Sequence, residues 1–311
     1  MTLTQLKYLV ALDTDRHFVL ASERCLVTQP TLSMQIQKLE EELGIKIFDR
    51  TKQPVIPTEI GRSVIAQARI ILREATLIDQ LINDQKDTMT GELKIGIIPT
   101  LAPYLLPPLF KHMHEKYPLV SMNIKETITE EIVHELKNNR LDCGLVVTPL
   151  KDSSIKEYAL FYEELFVYVS RKNALYDKKY VLANELDPDQ LWLLEEGHCF
   201  RSQVLNLCEL RKRSDFHFKY HTGNIETLKR MVDKSDGLTI LPELAVMEFS
   251  KPQMKLVKRL KEPSPAREVS LVTHRDHIKT KLIAILKEEI LQIVPKQMQK
   301  LKNKKIVEIN Y

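Results

Sequence analysis

The chain has 311 residues and a mass of 36.2 kDa; at 43% hydrophobic and 28% charged it is too apolar to remain disordered and long enough for roughly two domains. Lys and Arg number 46 against 42 Asp and Glu, and the resulting net charge of +4 is too small a bias to indicate a partner. Four cysteines (Cys25, Cys143, Cys199 and Cys208) with no CxxC pair argue against both a disulfide scaffold and a zinc site. The start Met1-Thr2-Leu3-Thr4-Gln5 shows no basic region followed by an apolar run, and no stretch approaches the ~18 apolar residues of a membrane span. A cytoplasmic chain with reduced thiols is therefore expected, without a metal or cofactor.

In chain order, the first 58 residues read as helices joined by short turns. Leu6, Leu9 and Val10, then Phe18, Ala21 and Cys25, then Leu32, Ile36, Leu39 and Leu43 recur at helical spacing. Thr28 suits the N-cap of the third helix, Pro30 suits its first turn, and Gly44 suits its end. Short strand-like pieces at Lys46-Ile47-Phe48 and Val55-Ile56 follow, bracketed by Pro54 and Pro57. Three helices and a small β-ribbon predict a winged helix-turn-helix. From Glu59 to about Gln85 one long helix is predicted, with Val64, Ala68, Ile71, Ala75, Ile78 and Ile82 in heptad spacing. That spacing favours a seam between two helices over packing on the helix's own domain. Asp84 to Thr90 reads as a polar linker.

Beyond Gly91 strands alternate with helices, which predicts a parallel α/β architecture. Strands are expected at Leu93–Ile98, Val120–Ile128, Leu141–Val147, Leu191–Leu194, His217–His221, Leu238–Leu241 and Glu268–Thr273. Helices are expected between them, up to Lys116, over Glu130–Asn139, near 200–212, over Ile225–Asp233 and from Thr280. The C-terminal lysines, Lys296, Lys300, Lys302, Lys304 and Lys305, read as a solvated tail.

In the segment Thr28 to Glu40 the stripe Leu32, Ile36 and Leu39 turns inward, leaving Gln29, Thr31, Ser33 and Gln35 available to base edges. Gln can pair bidentately with adenine, and Ser or Thr can reach bases or phosphates. Arg50, Thr51 and Lys52 fall at the expected wing tip, where phosphate contacts belong. Charge gives no support: residues 1–58 hold seven basic and seven acidic side chains. The motifs Phe18-Val19-Leu20-Ala21-Ser22-Glu23, Thr28-Gln29-Pro30-Thr31-Leu32-Ser33, Leu39-Glu40-Glu41-Glu42-Leu43-Gly44 and Phe48-Asp49-Arg50-Thr51, continuing through Thr58-Glu59-Ile60-Gly61, resemble the N-terminal domain of LysR-type transcriptional regulators. The resemblance implies an α+β multidomain chain: a winged helix-turn-helix over 1–58, a dimerisation helix and hinge over 59–87, and a regulatory domain over 88–311. That domain would be two-lobed α/β, like periplasmic binding proteins, with residues 88–162 and 268–311 in one lobe, 163–267 in the other, and crossovers near 163 and 267. The implied protein is not an enzyme but a regulator binding promoter DNA, Thr28 and Pro30 included in the contact segment. Its other implied partners are further copies, as a dimer of dimers, and RNA polymerase.

The segment Glu195-Glu196-Gly197-His198-Cys199-Phe200-Arg201-Ser202-Gln203-Val204-Leu205-Asn206-Leu207-Cys208 resembles the redox segment of the hydrogen-peroxide-sensing members of that family. So do Gly96 to Pro107, Leu141-Asp142-Cys143 and Ile225-Glu226-Thr227-Leu228. The resemblance implies Cys199 as the peroxide-reactive thiol, Cys208 as the resolving one, and a thiol reductant for reset. Thr100 and Thr129 would line the peroxide pocket. Cys199 is predicted to open a helix, where unpaired N–H groups favour a thiolate, and His198 and Arg201 are neighbours able to add donors or positive charge. A sulfenic acid formed there can be trapped by a second thiol. Nine positions on one helix separate the two cysteines by about 13 Å of rise and roughly half a turn, whereas a disulfide needs Cα atoms roughly 4.4–6.8 Å apart. Bond formation therefore requires the segment to unwind. Ser202 departs from the pattern, standing where related sequences commonly carry Asp. A buried cysteine is more often a small hydrophobe than a sensor, the reading given to Cys25 and Cys143. The alternative for the whole chain is a LysR-type regulator of a small effector bound between the lobes, with all cysteines structural.

Overall fold

Reciprocal capping opens the chain: Thr2 Oγ1 accepts the Gln5 amide and Gln5 Oε1 accepts the Thr2 amide, fixing the start of α1 (Leu3–Asp15). The computed structural model describes residues 1–83, 89–208, 223–277 and 279–309. It divides into two units, Met1–Asp87 and Thr88–Tyr311, each with its own apolar core.

In the first unit α2 (Phe18–Arg24) is followed by α3 (Gln29–Leu43), which begins on the Thr28 cap, carries Pro30 in its first turn and ends at Gly44 in the left-handed conformation. Leu32, Ile36 and Leu39 of α3 are buried in one cluster with Leu6, Leu9 and Leu12 of α1. The ribbon β1 (Phe48–Asp49) and β2 (Ile56–Pro57) is antiparallel. Helix α4 (Glu59–Asn83) starts so close to the ribbon that a Cβ at Gly61 would collide with the Ile47 carbonyl, so only glycine fits there. The heptad expectation for α4 needs correction along its first turns. Val64, Ala68 and Ile71 belong to the unit's own core, and Arg69 reaches Asp13 of α1 at 2.6 Å. Ile60 and Ile78, which share a face by their spacing, are solvent-exposed, Ile78 at 63%. The side chain of Ile82 lies outside the described residues.

In the second unit β3 (Gly91–Ile97) runs parallel between β4 (Val120–Glu126) and β5 (Cys143–Thr148). Helices α5 (Ala102–Lys116) and α6 (Thr129–Lys137) make the crossovers. The purely parallel expectation fails from there on. The fifteen-residue β6 (Ile155–Val169) pairs antiparallel with β10 (Ser264–His274) through its first part and with β8 (Leu238–Pro242) from Leu165 onward. Its aromatic and β-branched composition suits so long a strand, and Leu165 to Val169 are all buried because both faces of that part are covered. Strand β6 thus passes from one sheet to the other, where β9 (Val257–Leu260) also pairs with it and β7 (Tyr180–Val181) lies beside β9. The remaining helices are α7 (Cys199–Leu207), α8 (Ile225–Lys234), the short α9 (Glu243–Met247) and α10 (Lys251–Met254), and α11 (Thr280–Ile293).

Two further expectations change. Leu191–Leu194 is not a strand: a single bridge joins Leu191 to Leu238, and Thr239 Oγ1 donates to the Trp192 carbonyl. The C-terminal lysines are not a free tail either. Lys304–Ile306 forms β11, parallel to β10, and Lys304 Nζ donates to the Tyr162 carbonyl at 2.8 Å. The expected strand at His217–His221 lies outside the described residues.

Candidate functional site

The N-terminal half of α3 leaves Thr28, Gln29 and Pro30 exposed and Thr31, Ser33 and Gln35 partly so. Four of these already have partners: the Thr28 and Thr31 hydroxyls share a hydrogen bond of 2.8 Å, Ser33 accepts from Arg50 Nη1 at 3.3 Å, and Gln35 accepts from Gln5 at 3.4 Å. Arg50 is not free at the wing tip. It also donates to Glu40 Oε2 at 3.2 Å and lies over the Phe18 ring, so it ties ribbon to helix. Thr51 is bound to Asp49 through amide and hydroxyl, and Lys52 beside it is exposed. Met34 and Gln37 of α3 are also exposed, Gln37 donating to Glu41 at 2.9 Å; the sequence reading did not include them.

Cys199 is the first residue of α7 and Cys208 caps its end, so both thiols sit on one intact helix, unbonded and buried. Thr129, at the start of α6, and Arg267, on β10, both act on Cys199, and Thr100, in the turn after β3, holds Arg267. Arg267 is fully buried. Its Nε donates to Glu163 Oε2 at 2.7 Å, its Nη1 to Thr100 Oγ1 at 2.8 Å and its Nη2 to the Thr100 carbonyl at 3.2 Å. Glu163, on β6, is equally buried and takes the Leu244 amide on its other oxygen. The guanidinium lies 5.1 Å from the centre of the Phe200 ring, next in chain to Cys199.

The thiolate expectation is corrected by burial. Desolvation raises the Cys199 pKa above that of an ordinary thiol, although Arg267, the Thr129 hydroxyl and the amides of Phe200 and Cys199 all pull it down. The positive charge comes from Arg267, not from Arg201, whose guanidinium donates to the Leu194 carbonyl at 2.8 Å. His198 faces Glu195 at 3.6 Å and abuts Gly223. Thr129 Oγ1 is buried beside Cys199 with no conventional hydrogen-bond partner, a polar group aimed into the site. Burial alone pushes Cys208 up to about 12. Cys143 is also pushed up by burial inside β5, as a core residue should be, whereas Cys25 is half-buried.

Burial therefore favours the protonated form of both α7 thiols, Cys199 and Cys208. The fold favours the protonated form fully below the pKa of an unfolded thiol, about 8.5, and that stabilisation is lost as pH rises through the folded values. Alkylation of Cys199 by iodoacetamide should accelerate about tenfold per pH unit between pH 7 and 8.5. A plateau below pH 8 in the measured rates would contradict this.

Arg267 and Glu163 escaped the sequence reading, which marked those positions only as crossovers. Each stands next to a second charged residue, Glu164 and Glu268, inside a strand-like run, so the sequence does not single out which charge of the two is buried. Among the described residues no group of His, Cys, Asp and Glu is arranged to hold a metal, and no helix is long and apolar enough to cross a membrane.

Residues 3–62 match the family model of the bacterial regulatory helix-turn-helix protein, lysR family, and residues 86–293 match the LysR substrate binding domain. The DNA-binding transcriptional dual regulator OxyR of Escherichia coli K12 is 36% identical over 273 residues, 88% of this chain and 89% of that one. The hydrogen peroxide-inducible genes activator of Haemophilus influenzae is 36% identical over 88% of this chain and 90% of its own length. Among solved structures, full-length OxyR C199D from Pseudomonas aeruginosa superposes with a TM-score of 0.81 at 31% identity, covering 97% of this chain and 98% of that one. With both family models matched in order and relatives aligned over nearly nine-tenths of the chain, this protein belongs to the LysR family of bacterial helix-turn-helix regulators.

Proposed function

We propose that this protein is a transcription regulator that senses hydrogen peroxide through Cys199 and switches by a reversible Cys199–Cys208 disulfide. The carrying observation is the pairing of a buried cation, Arg267, with a buried hydroxyl, Thr129, both acting on the thiol that opens α7. The thiolate attacks one peroxide oxygen, the O–O bond breaks, and the departing hydroxide takes a proton to become water. The sulfur, oxidised by two electrons, becomes a sulfenic acid. The Cys208 sulfur then attacks it, forming the S–S bond as the sulfenic oxygen leaves as a second water.

In this reading Thr129 hydrogen-bonds the oxidant and Thr100 positions Arg267. His198 and Arg201 shape the loop before α7. The alternative of a small effector between the lobes has less support, because Thr100, Glu163 and Arg267 fill the strand junction there with at most 1% exposure. At the DNA end Gln29 reads bases with Thr28, Pro30, Thr31, Ser33 and Gln35, while Thr51 and Lys52 meet phosphates. Arg50 acts there by positioning the ribbon. The exposed Ile60 and Ile78 face of α4 pairs subunits, in a dimer of dimers by family resemblance. RNA polymerase and a thiol reductant complete the partners, in the cytoplasm.

Mass spectrometry of a non-reducing digest after one equivalent of peroxide is the test. A linked peptide joining Cys199 and Cys208 is expected. An unreactive Cys199 with no such peptide would return the chain to the small-effector reading.

A further inference from the structure

We infer that the C-terminal segment Lys304–Ile309 is a brake on the redox helix, acting through Gln203 and Asn206 as positioning residues; this rests on the peroxide reading above. The segment lies beyond residues 86–293 that match the family model, and it is held in place along its length. Ser264, Pro265 and Ala266 pair with Lys304, Lys305 and Ile306. The Val307 amide continues the ladder to the Ala266 carbonyl at 2.8 Å, and Ile309 is buried. The strand that anchors it is the one that carries Arg267.

Two carbonyls of this strap face α7. Gln203 Nε2 donates to the Val307 carbonyl at 3.3 Å, and Asn206 Nδ2 donates to the Glu308 carbonyl at 2.7 Å. Gln203 is fully buried, and its own side-chain carbonyl has no hydrogen-bond partner, so Val307 fixes which way its amide points. Both residues lie between Cys199 and Cys208. The thiols are about 13 Å apart along the helix axis and must bring their Cα atoms to roughly 4.4–6.8 Å. We take this closure to unwind the turns between the two cysteines, which carry residues 203 and 206. The strap bonds therefore break during disulfide closure, whereas attack of Cys199 on peroxide leaves them untouched. Asn206 and Leu207 share with Lys305 to Glu308 the lining of an open cavity of about 950 Å³, space into which the released helix end can move. The strap thus sets how readily a sulfenic acid becomes a disulfide, separately from how readily it forms.

The test uses the full-length protein and two variants on opposite sides of the contact, Asn206→Ala and Ile309→Ala. Alanine strengthens helix propensity at position 206, so faster unwinding in that variant would act against the intrinsic trend. Reduced protein is mixed rapidly with hydrogen peroxide and quenched with a sulfenic-acid trap and an alkylating agent. Mass spectrometry then follows Cys199 sulfenic acid and the Cys199–Cys208 peptide separately. Sulfenic acid formation is expected to stay within about twofold of the parent, while closure accelerates about fivefold, the change for one hydrogen bond lost before the barrier. Closure unchanged or slower in both variants, with reduced melting temperatures showing the strap loosened, overturns the brake. A matching change in the first step would place the strap's effect at the peroxide pocket and overturn it equally. If the parent protein itself forms sulfenic acid but never the linked peptide, the disulfide reading fails and the brake with it.

Discussion

Replacing Arg267 with Met should lower the stability of the regulatory unit by about 3–5 kcal/mol, the usual result of removing one partner of a buried ion pair. Arg267 and Glu163 are both inaccessible to solvent, and two guanidinium nitrogens lie 2.7 Å from Glu163 Oε2. Met retains much of the volume but leaves that carboxylate buried with the Leu244 amide as its remaining hydrogen-bond donor on Oε1. It also frees Thr100 and removes the cation that offsets the desolvation of Cys199. The thiol pKa should rise further, and one unit of rise is a tenfold loss of thiolate. Alkylation and peroxide oxidation of Cys199 should therefore slow by about tenfold or more. The double variant Glu163→Gln with Arg267→Met separates the two roles. Removing the stranded charge should restore part of the stability in urea unfolding of the reduced protein, yet leave Cys199 slow. An alkylation rate unchanged in Arg267→Met would mean that the guanidinium serves packing alone.

The second large effect is expected in the DNA-binding unit, at a residue that contacts no nucleic acid in the proposed reading. Glu40 is 1% exposed on α3. One carboxylate oxygen accepts the amides of Ile47 and Phe48, at 2.8 and 3.1 Å, and the other takes Arg50. A single side chain therefore docks the β-ribbon on the recognition helix. Glu40→Ala strands two buried N–H groups and a guanidinium, at about 3 kcal/mol of unfolding free energy. DNA affinity should fall more than tenfold, since ribbon and helix would no longer be held in one register. Glu40→Gln keeps an acceptor for the amides and loses only the charge opposite Arg50, so its defect should be markedly smaller. Thermal unfolding paired with DNA-binding titrations at fixed salt would show this; equal defects in the two variants would contradict the amide-docking account.

Glu40 also explains why charge counting was uninformative over residues 1–58. Asp13 pairs with Arg16 and Arg69, Asp15 with Arg24, and Glu40 with Arg50, so much of the acidic count stabilises the unit internally. Composition registers these residues as charge, whereas the fold uses them as hydrogen-bond acceptors.

Local features were legible in the sequence because local chemistry determines them. The Thr28 cap, Pro30 and the Gly44 stop set α3, and apolar spacing chose its buried face. The cysteine spacing along one helix, and hence the need to unwind it before a disulfide can close, follows from helical geometry alone. Three matters were decided only by tertiary structure. Antiparallel pairing of β6 with β10 brings Glu163 opposite Arg267, and their mutual burial makes a charge site that no spacing along the chain encodes. Burial also reverses the expectation for Cys199, since desolvation outweighs the helix terminus and the guanidinium together. Composition read the C-terminal lysines as a solvated tail, and four of the five are exposed, but Lys304–Ile306 pairs with β10 and the Val307 and Glu308 carbonyls beyond it reach α7. The opening count of four cysteines and near-neutral charge described the chain correctly; which charges are removed from water, Arg267, Glu163 and Glu40 among them, was decided by the fold.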